Sequence, residues 1–165
     1  MLMNMKDQPD VKPEHGPIRP LEESLPIQLL KVHDQVMAYF RPMLNRFGMT
    51  DQQWRVLRAI AAGVTDFAAL AEATHIQPAS LSRMLITLQN HGWTTRVVSE
   101  TDRRQRIVSM TPEGWALFHA ASAETEAIHA ELERDLGPAY AAMLAALSAG
   151  SGRMAAVSGD AESSL

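Results

Sequence analysis

Three arginines fall within four positions in the stretch SETDRRQRIVSM, Ser99 to Met110: Arg103, Arg104 and Arg106, beside Glu100 and Asp102. The segments on either side, WTTRVVS and RQRIVSM, are rich in β-branched residues, so the stretch predicts a two-stranded hairpin with a charged turn at its tip. Arginines at such a tip suit a minor groove, whose narrow form concentrates negative potential. Strand alternation turns some of the three back towards the hairpin base. Asp102 is placed to brace the tip by pairing with one arginine while another reaches out. The plain alternative is a solvated charged turn that binds nothing.

A second set of residues suits the same ligand. Between Gln77 and Asn90 there is no Asp or Glu, and the outward positions are Gln77, Ala79, Ser80, Ser82, Arg83 and Thr87. Ser80, Arg83 and Thr87 recur at i, i+3 and i+7, one face of a helix. A B-DNA major groove admits one helix, and short polar side chains with an arginine read its base edges and phosphates. Arg83 suits guanine O6 and N7, and Ser80 and Ser82 suit phosphates or bases. Gln77 and Ser80 stand near the helix start, where free backbone N–H groups favour phosphate.

Other chemistry finds little support. There is no cysteine, hence no disulfide framework, thiol nucleophile, Cys-based zinc site or thiol redox sensor. No glycine-rich phosphate loop, Gly-x-Ser-x-Gly elbow or His-Glu-x-x-His pattern occurs. His15, His33, His75, His91, His119 and His129 are scattered over different elements, and ten residues between His119 and His129 do not converge a metal pair. No enzymatic activity, metal or cofactor is implied.

Helices must position the two basic sets. Ser24 caps a first helix with Pro26 in its first turn, and Leu29, Leu30, Val32, His33, Val36, Met37 and Phe40 follow at helical spacing; Pro42 ends or kinks it. Thr50 with Gln53 forms a capping box for a second helix, whose core side carries Trp54, Leu57 and Ala61 and which Gly63 closes. Thr65 caps a short third helix with Phe67, Leu70 and Ala71 inward. Pro78 starts a fourth, with a buried stripe of Leu81, Met84, Leu85 and Leu88, and Gly92 ends it. After the hairpin, Thr111-Pro112 opens a long alanine-rich helix to about Arg134. Gly137-Pro138 breaks it, and a short last helix carries Tyr140, Met143, Leu144 and Leu147 until Gly150 and Gly152 stop it.

The fold class is therefore mostly α with a small β-hairpin. Residues 1–23, with four prolines, read as a flexible arm, residues 24–148 as the folded domain with a core at about 50–111, and residues 149–165 as a flexible tail. The 165 residues are 46 % apolar, enough for one real core. No apolar run approaches the roughly 18 residues of a membrane span, and the N-terminus lacks a secretory pattern, so a cytoplasmic, membrane-free protein is expected. The net charge of −4, from 15 Lys+Arg against 19 Asp+Glu, argues little against nucleic acid, because basic clustering matters more than the sum.

The stretch from Asp66 to Phe118 resembles the winged helix-turn-helix of the multiple-antibiotic-resistance regulator (MarR) family. The marks are Leu70-Ala71, Ser80 to Leu88, Asp102-Arg103-Arg104 in the wing, and Thr111-Pro112-Glu113-Gly114 after it. YFRPMLNRFGMTDQQWRVLRAI, Tyr39 to Ile60, resembles in addition the subgroup that represses homoprotocatechuate (4-hydroxyphenylacetate) degradation operons. The resemblance implies a winged helix-turn-helix with N- and C-terminal dimerisation helices, here Leu25–Phe40 and Pro112–Leu147. It implies a homodimer reading a pseudo-palindromic double-stranded operator, most often as a repressor. It implies a pocket for a small aromatic acid or phenol near the junction of the first two helices, with candidates His33, Met37, Phe40, Trp54, Arg55 and Arg58. The rival reading is a winged-helix protein–protein interaction module without specific DNA binding.

Overall fold

A computed structural model of the chain describes residues 19–98 and 106–162. A short 3-10 turn, Leu21–Glu23, precedes six helices and one hairpin: α1 (Leu25–Arg46), α2 (Asp51–Ala61), α3 (Phe67–Thr74), α4 (Pro78–Asn90), β1 (Thr94–Val98), β2 (Arg106–Met110), α5 (Pro112–Leu136) and α6 (Pro138–Glu162). The chain divides into two compact units, residues 1–35 and 36–165. The expected fold class, a mostly helical winged helix-turn-helix, is what the structure has.

In the first unit the Gln28 amide donates to the Glu22 carbonyl at 2.6 Å, so the 3-10 turn is tied to the opening of α1. None of this unit's described residues is buried, and Leu21, Leu25, Leu29 and Leu30 are all exposed.

The second unit begins inside α1 and holds the core. Pro42 neither stops nor ends α1, which runs on to Arg46. Proline forfeits one backbone bond, but burial of Phe40, Met43 and Leu44 around it holds the turn. α2 opens with the expected capping box: the Thr50 hydroxyl accepts from Gln53 N at 3.2 Å, and the Gln53 side chain accepts from Thr50 N at 2.8 Å. Val56, Leu57, Leu70, Leu81, Leu85, Leu88 and Val108 then close a core to which α2, α3, α4 and β2 all contribute.

The cap of α3 is Asp66 rather than Thr65. One Asp66 carboxylate oxygen accepts from Ala68 N and Ala69 N at 2.9 and 3.0 Å. Thr65 is used elsewhere, its carbonyl accepting from Val108 N of β2 at 2.9 Å, which straps the hairpin to the loop before α3. The hairpin is antiparallel with Thr94 opposite Met110 and Val98 opposite Arg106.

The helices leading to the hairpin share one ending. At the end of α4, Gly92 sits at φ +73° and donates to the Gln89 carbonyl, while Trp93 donates to the Leu88 carbonyl. This pair of bonds closes the last turn with a left-handed residue. α1 and α2 stop the same way. At the end of α3 the left-handed residue is His75, φ 52°, with Ile76 donating to the Ala71 carbonyl.

Thr111 locks α5 onto that turn. Its hydroxyl accepts from Gly114 N at 3.0 Å and donates to the Gly92 carbonyl at 2.6 Å, while its own N–H donates to the Trp93 carbonyl. Gly114 is helical, yet a Cβ there would stand 2.0 Å from the Trp93 carbonyl oxygen. Further along, α5 packs on the second half of α1. Phe40 meets His129 edge-on at 5.2 Å, the Tyr39 hydroxyl donates to Asp135 at 3.0 Å, and Arg46 pairs with Glu124.

α6 does not stop at Gly150 and Gly152 but continues to Glu162. Each glycine costs a helix about 1 kcal/mol, which flanking alanines and the lack of any proline in that span let it absorb.

Candidate nucleic-acid interface

The helix-turn-helix is α3, the turn His75–Gln77, and α4. Leu81, Leu85 and Leu88 are fully buried and pin one side of α4 to the core. The opposite side is open along a straight line of Ala79, Arg83, Ile86 and Asn90, at i, i+4, i+7 and i+11. Gln77 and Thr87 flank it and are also exposed. Ser80 and Ser82 are half-buried at its margins.

The hydrogen bonds sort these side chains further. Gln77 is the N-cap residue but makes no capping bond. The Arg83 guanidinium leans on Ser80 Oγ at 3.5 Å, a contact at the limit of a hydrogen bond. The Thr87 hydroxyl donates back to the Arg83 carbonyl at 3.2 Å, which leaves only its lone pairs for a ligand. Arg83 is therefore the long, charged member of this face. Ile86, half exposed, escaped the sequence reading. Its neighbours Met84 and Leu85 belong to the core side, and periodicity alone gives a boundary residue no assignment.

Of the wing candidates, Asp102, Arg103 and Arg104 lie outside the described residues, and Arg106 is described by its backbone, which opens β2 opposite Val98. The described hairpin is well anchored, with Thr94, Val108 and Met110 buried and Val97 outward. Arg96, half-buried on β1 opposite Val108, is a further basic residue of the wing that sequence reading passed over.

The residues proposed for an effector have distinct surroundings. Phe40 and Trp54 are buried, and Met37 is half-buried against the same core. Trp54 stacks on Phe118 at 5.3 Å, and Phe118 meets Trp115 edge-on, with His119 stacked on Trp115. The Trp54 indole N–H is buried with no hydrogen-bond partner among the described residues. Arg55 is engaged: it donates to the Thr74 carbonyl at 3.0 Å and to Asp51 at 3.1 Å, tying α2 to the end of α3. Arg58, one turn on from Trp54, is exposed. His33 lies in the first unit, exposed on α1.

Sequence and structure comparisons bear on this arrangement. A profile described as the MarR family matches residues 47–105. The homoprotocatechuate degradative operon repressor of Escherichia coli is 34 % identical over 114 residues, 68 % of this chain and 77 % of the relative. The chain belongs to the MarR family. Two solved structures superpose well. NadR in complex with 4-hydroxyphenylacetate is 32 % identical, with a TM-score of 0.67 over 81 % of this chain and 96 % of that one. The repressor CouR bound to a 23-mer DNA duplex is 25 % identical, with a TM-score of 0.70 over 80 % and 94 %. The relatives of this MarR protein are transcriptional regulators, not enzymes. Among the described residues, no helix is long and apolar enough to cross a membrane.

Proposed function

We propose that this protein is a dimeric, sequence-specific DNA-binding repressor of an aromatic catabolic operon, released by a small aromatic acid or phenol. The observation that carries the reading is the open face of α4, which presents Arg83 among uncharged residues with no acid from Pro78 to Asn90. Gln77, Ala79, Ser80, Ser82, Arg83 and Thr87 work in the major groove. Arg103 or Arg104 enters the minor groove, braced by Asp102, with Arg106 nearer the hairpin base. Exposed apolar side chains support a second copy as cover: Leu25, Leu29 and Leu30 in the first unit, and Leu144, Leu147 and Met154 on α6 in the second. A soluble monomer rarely leaves so many unpaired.

The effector reading rests on Trp54. A buried indole N–H without a partner costs about 1–3 kcal/mol, and an acceptor atom of a ligand would repay it. Phe118 beside it supplies an aromatic wall, and Arg58 one turn away supplies a cation for a carboxylate. The solved complex of NadR with 4-hydroxyphenylacetate gives the ligand class to try first. Release follows if the ligand binds the DNA-incompetent arrangement of the dimer more tightly.

The test is fluorescence anisotropy with DNA from upstream of the gene, over a salt series, with and without 4-hydroxyphenylacetate or homoprotocatechuate. Tight, sequence-preferring, salt-steep binding that the acid releases is the expected result. Binding that ignores both acids would remove the effector. No preference among DNAs at low salt would remove the regulator and leave a protein-interaction module.

A further inference from the structure

Ile86 stands where a reader of bases belongs. It is half exposed, and it is the one large apolar side chain left open among the described residues of α3 and α4. It follows Arg83 by three residues on the outward line Ala79, Arg83, Ile86, Asn90, so it lies at the middle of the face rather than at its edge. The buried side of α4 does not use it: that side is filled by Leu81, Leu85 and Leu88, all fully buried.

An isoleucine has no polar atom, which narrows what it can recognise. In the major groove, base pairs display donors, acceptors and a single apolar group, the C5-methyl of thymine. We propose that Ile86 is a specificity-determining residue that packs on a thymine methyl, so that each half-site carries a thymine within two base pairs of the guanine read by Arg83. The spacing follows from geometry. Three residues of helix advance about 4.5 Å, close to the roughly 3.4 Å between stacked bases. This inference rests on the DNA-binding reading above and adds to it the base class at one position. The bonded-back hydroxyl of Thr87 strengthens it, because the residue next to Ile86 offers no free donor to the O6 and N7 acceptors of a competing guanine at that place.

The experiment starts with the full-length protein and a randomised duplex library. The selected sequence is then made as a fluorescein-labelled duplex, with each thymine replaced in turn by deoxyuridine, which removes only the methyl. For the wild type, one thymine per half-site should be sensitive, and substitution there should weaken binding about fourfold, the worth of one buried methyl group. Substitution in both half-sites should cost about fifteenfold. For Ile86→Ala the same substitutions should cost nothing, and for Ile86→Val an intermediate amount. Ile86 is surface-exposed, so Ile86→Ala should melt at the wild-type temperature.

Three results would overturn the proposal while leaving the regulator intact. They are a preferred sequence with no deoxyuridine-sensitive thymine, undiminished sensitivity in Ile86→Ala, and a change in oligomeric state of Ile86→Ala without DNA, which would make the residue a contact between copies. A library that yields no preferred sequence would overturn this proposal and the regulator reading together.

Discussion

Among the described residues of the second unit, two buried polar atoms lack partners, Trp54 Nε1 and Thr94 Oγ1, and they call for different treatment. Thr94 faces the base of the hairpin, opposite Met110, so its hydroxyl is simply costly there. Thr94→Val should raise stability by about 1 kcal/mol in chemical denaturation and leave release by an aromatic acid unchanged. Trp54→Phe keeps a ring against Phe118 but deletes the donor. It should change stability by no more than about 1 kcal/mol, yet raise the acid concentration needed to release DNA about tenfold or more, as loss of a bond to a charged group predicts. Unchanged release in the Trp54 variant would place the ligand elsewhere. Arg83→Ala should weaken specific binding by about 1–3 kcal/mol, read by anisotropy at fixed salt. At this scale the sequence was informative about placement, as for Arg83, which stands exposed on α4 as its spacing predicts. Whether Trp54 is ordinary core or a donor awaiting a ligand depended on its buried environment, which no spacing reveals. For Arg55 the type suggested a ligand cation, and the structure adds what no spacing shows, its bonds to the Thr74 carbonyl and to Asp51.

Helix ends were legible when their signals were local. Thr50 and Gln53 specify their capping box within four residues, and the structure has both halves of it. Thr65 and Asp66 are both competent caps, and the choice between them is made from far away, by the strand bond from Val108 to Thr65. Glycine marked most left-handed helix ends, but at α3 the position is occupied by His75, whose side chain disguises it. A non-glycine residue at positive φ is strained, so His75→Gly should raise stability by about 0.5–1 kcal/mol in a thermal melt. A loss of stability would mean that the imidazole makes a compensating contact. Gly114 is the opposite case. Its backbone is ordinary helix, and what forbids a side chain is the Trp93 carbonyl 2.0 Å from any Cβ. Gly114→Ala should cost about 3 kcal/mol by denaturant unfolding, because backbone must move to admit it. The Thr-Pro-Glu-Gly motif was visible in the sequence, but the reason for its glycine is a contact across twenty-one positions.

For the molecule as a whole, the distribution of charge outweighs its total. A chain of net charge −4 leaves α4 free of acids and gathers arginines in the wing sequence, while the ion pairs Arg46–Glu124, Arg55–Asp51 and Arg134–Asp135 of the described residues lie on other elements. The tie between α1 and α5 gives a pH signature. The Tyr39 phenol donates to the Asp135 carboxylate, and that bond, with the nearby negative charge, raises the Tyr39 pKa above its ordinary value of 10.0. The folded state then holds its proton more tightly than the unfolded chain does. The stabilisation is complete below pH 10 and is lost as pH climbs through the raised value. Tyr39→Phe should flatten this alkaline limb in urea midpoints measured from pH 8 to 12; an unaltered limb would mean the bond is worth nothing in solution.

The clasp of Thr111 and Gly114 on Gly92 and Trp93 has a mechanical meaning. It leaves no slack between the start of α5 and the end of α4, so the two form a single lever. α5 has 25 residues and is about 37 Å long. A tilt of about 5° at one end sweeps the other through about 3 Å, close to one base-pair step. On the DNA-binding reading proposed above, a small push near the far end of α5 is thus magnified at α4 into a displacement large enough to put that helix out of phase with its groove.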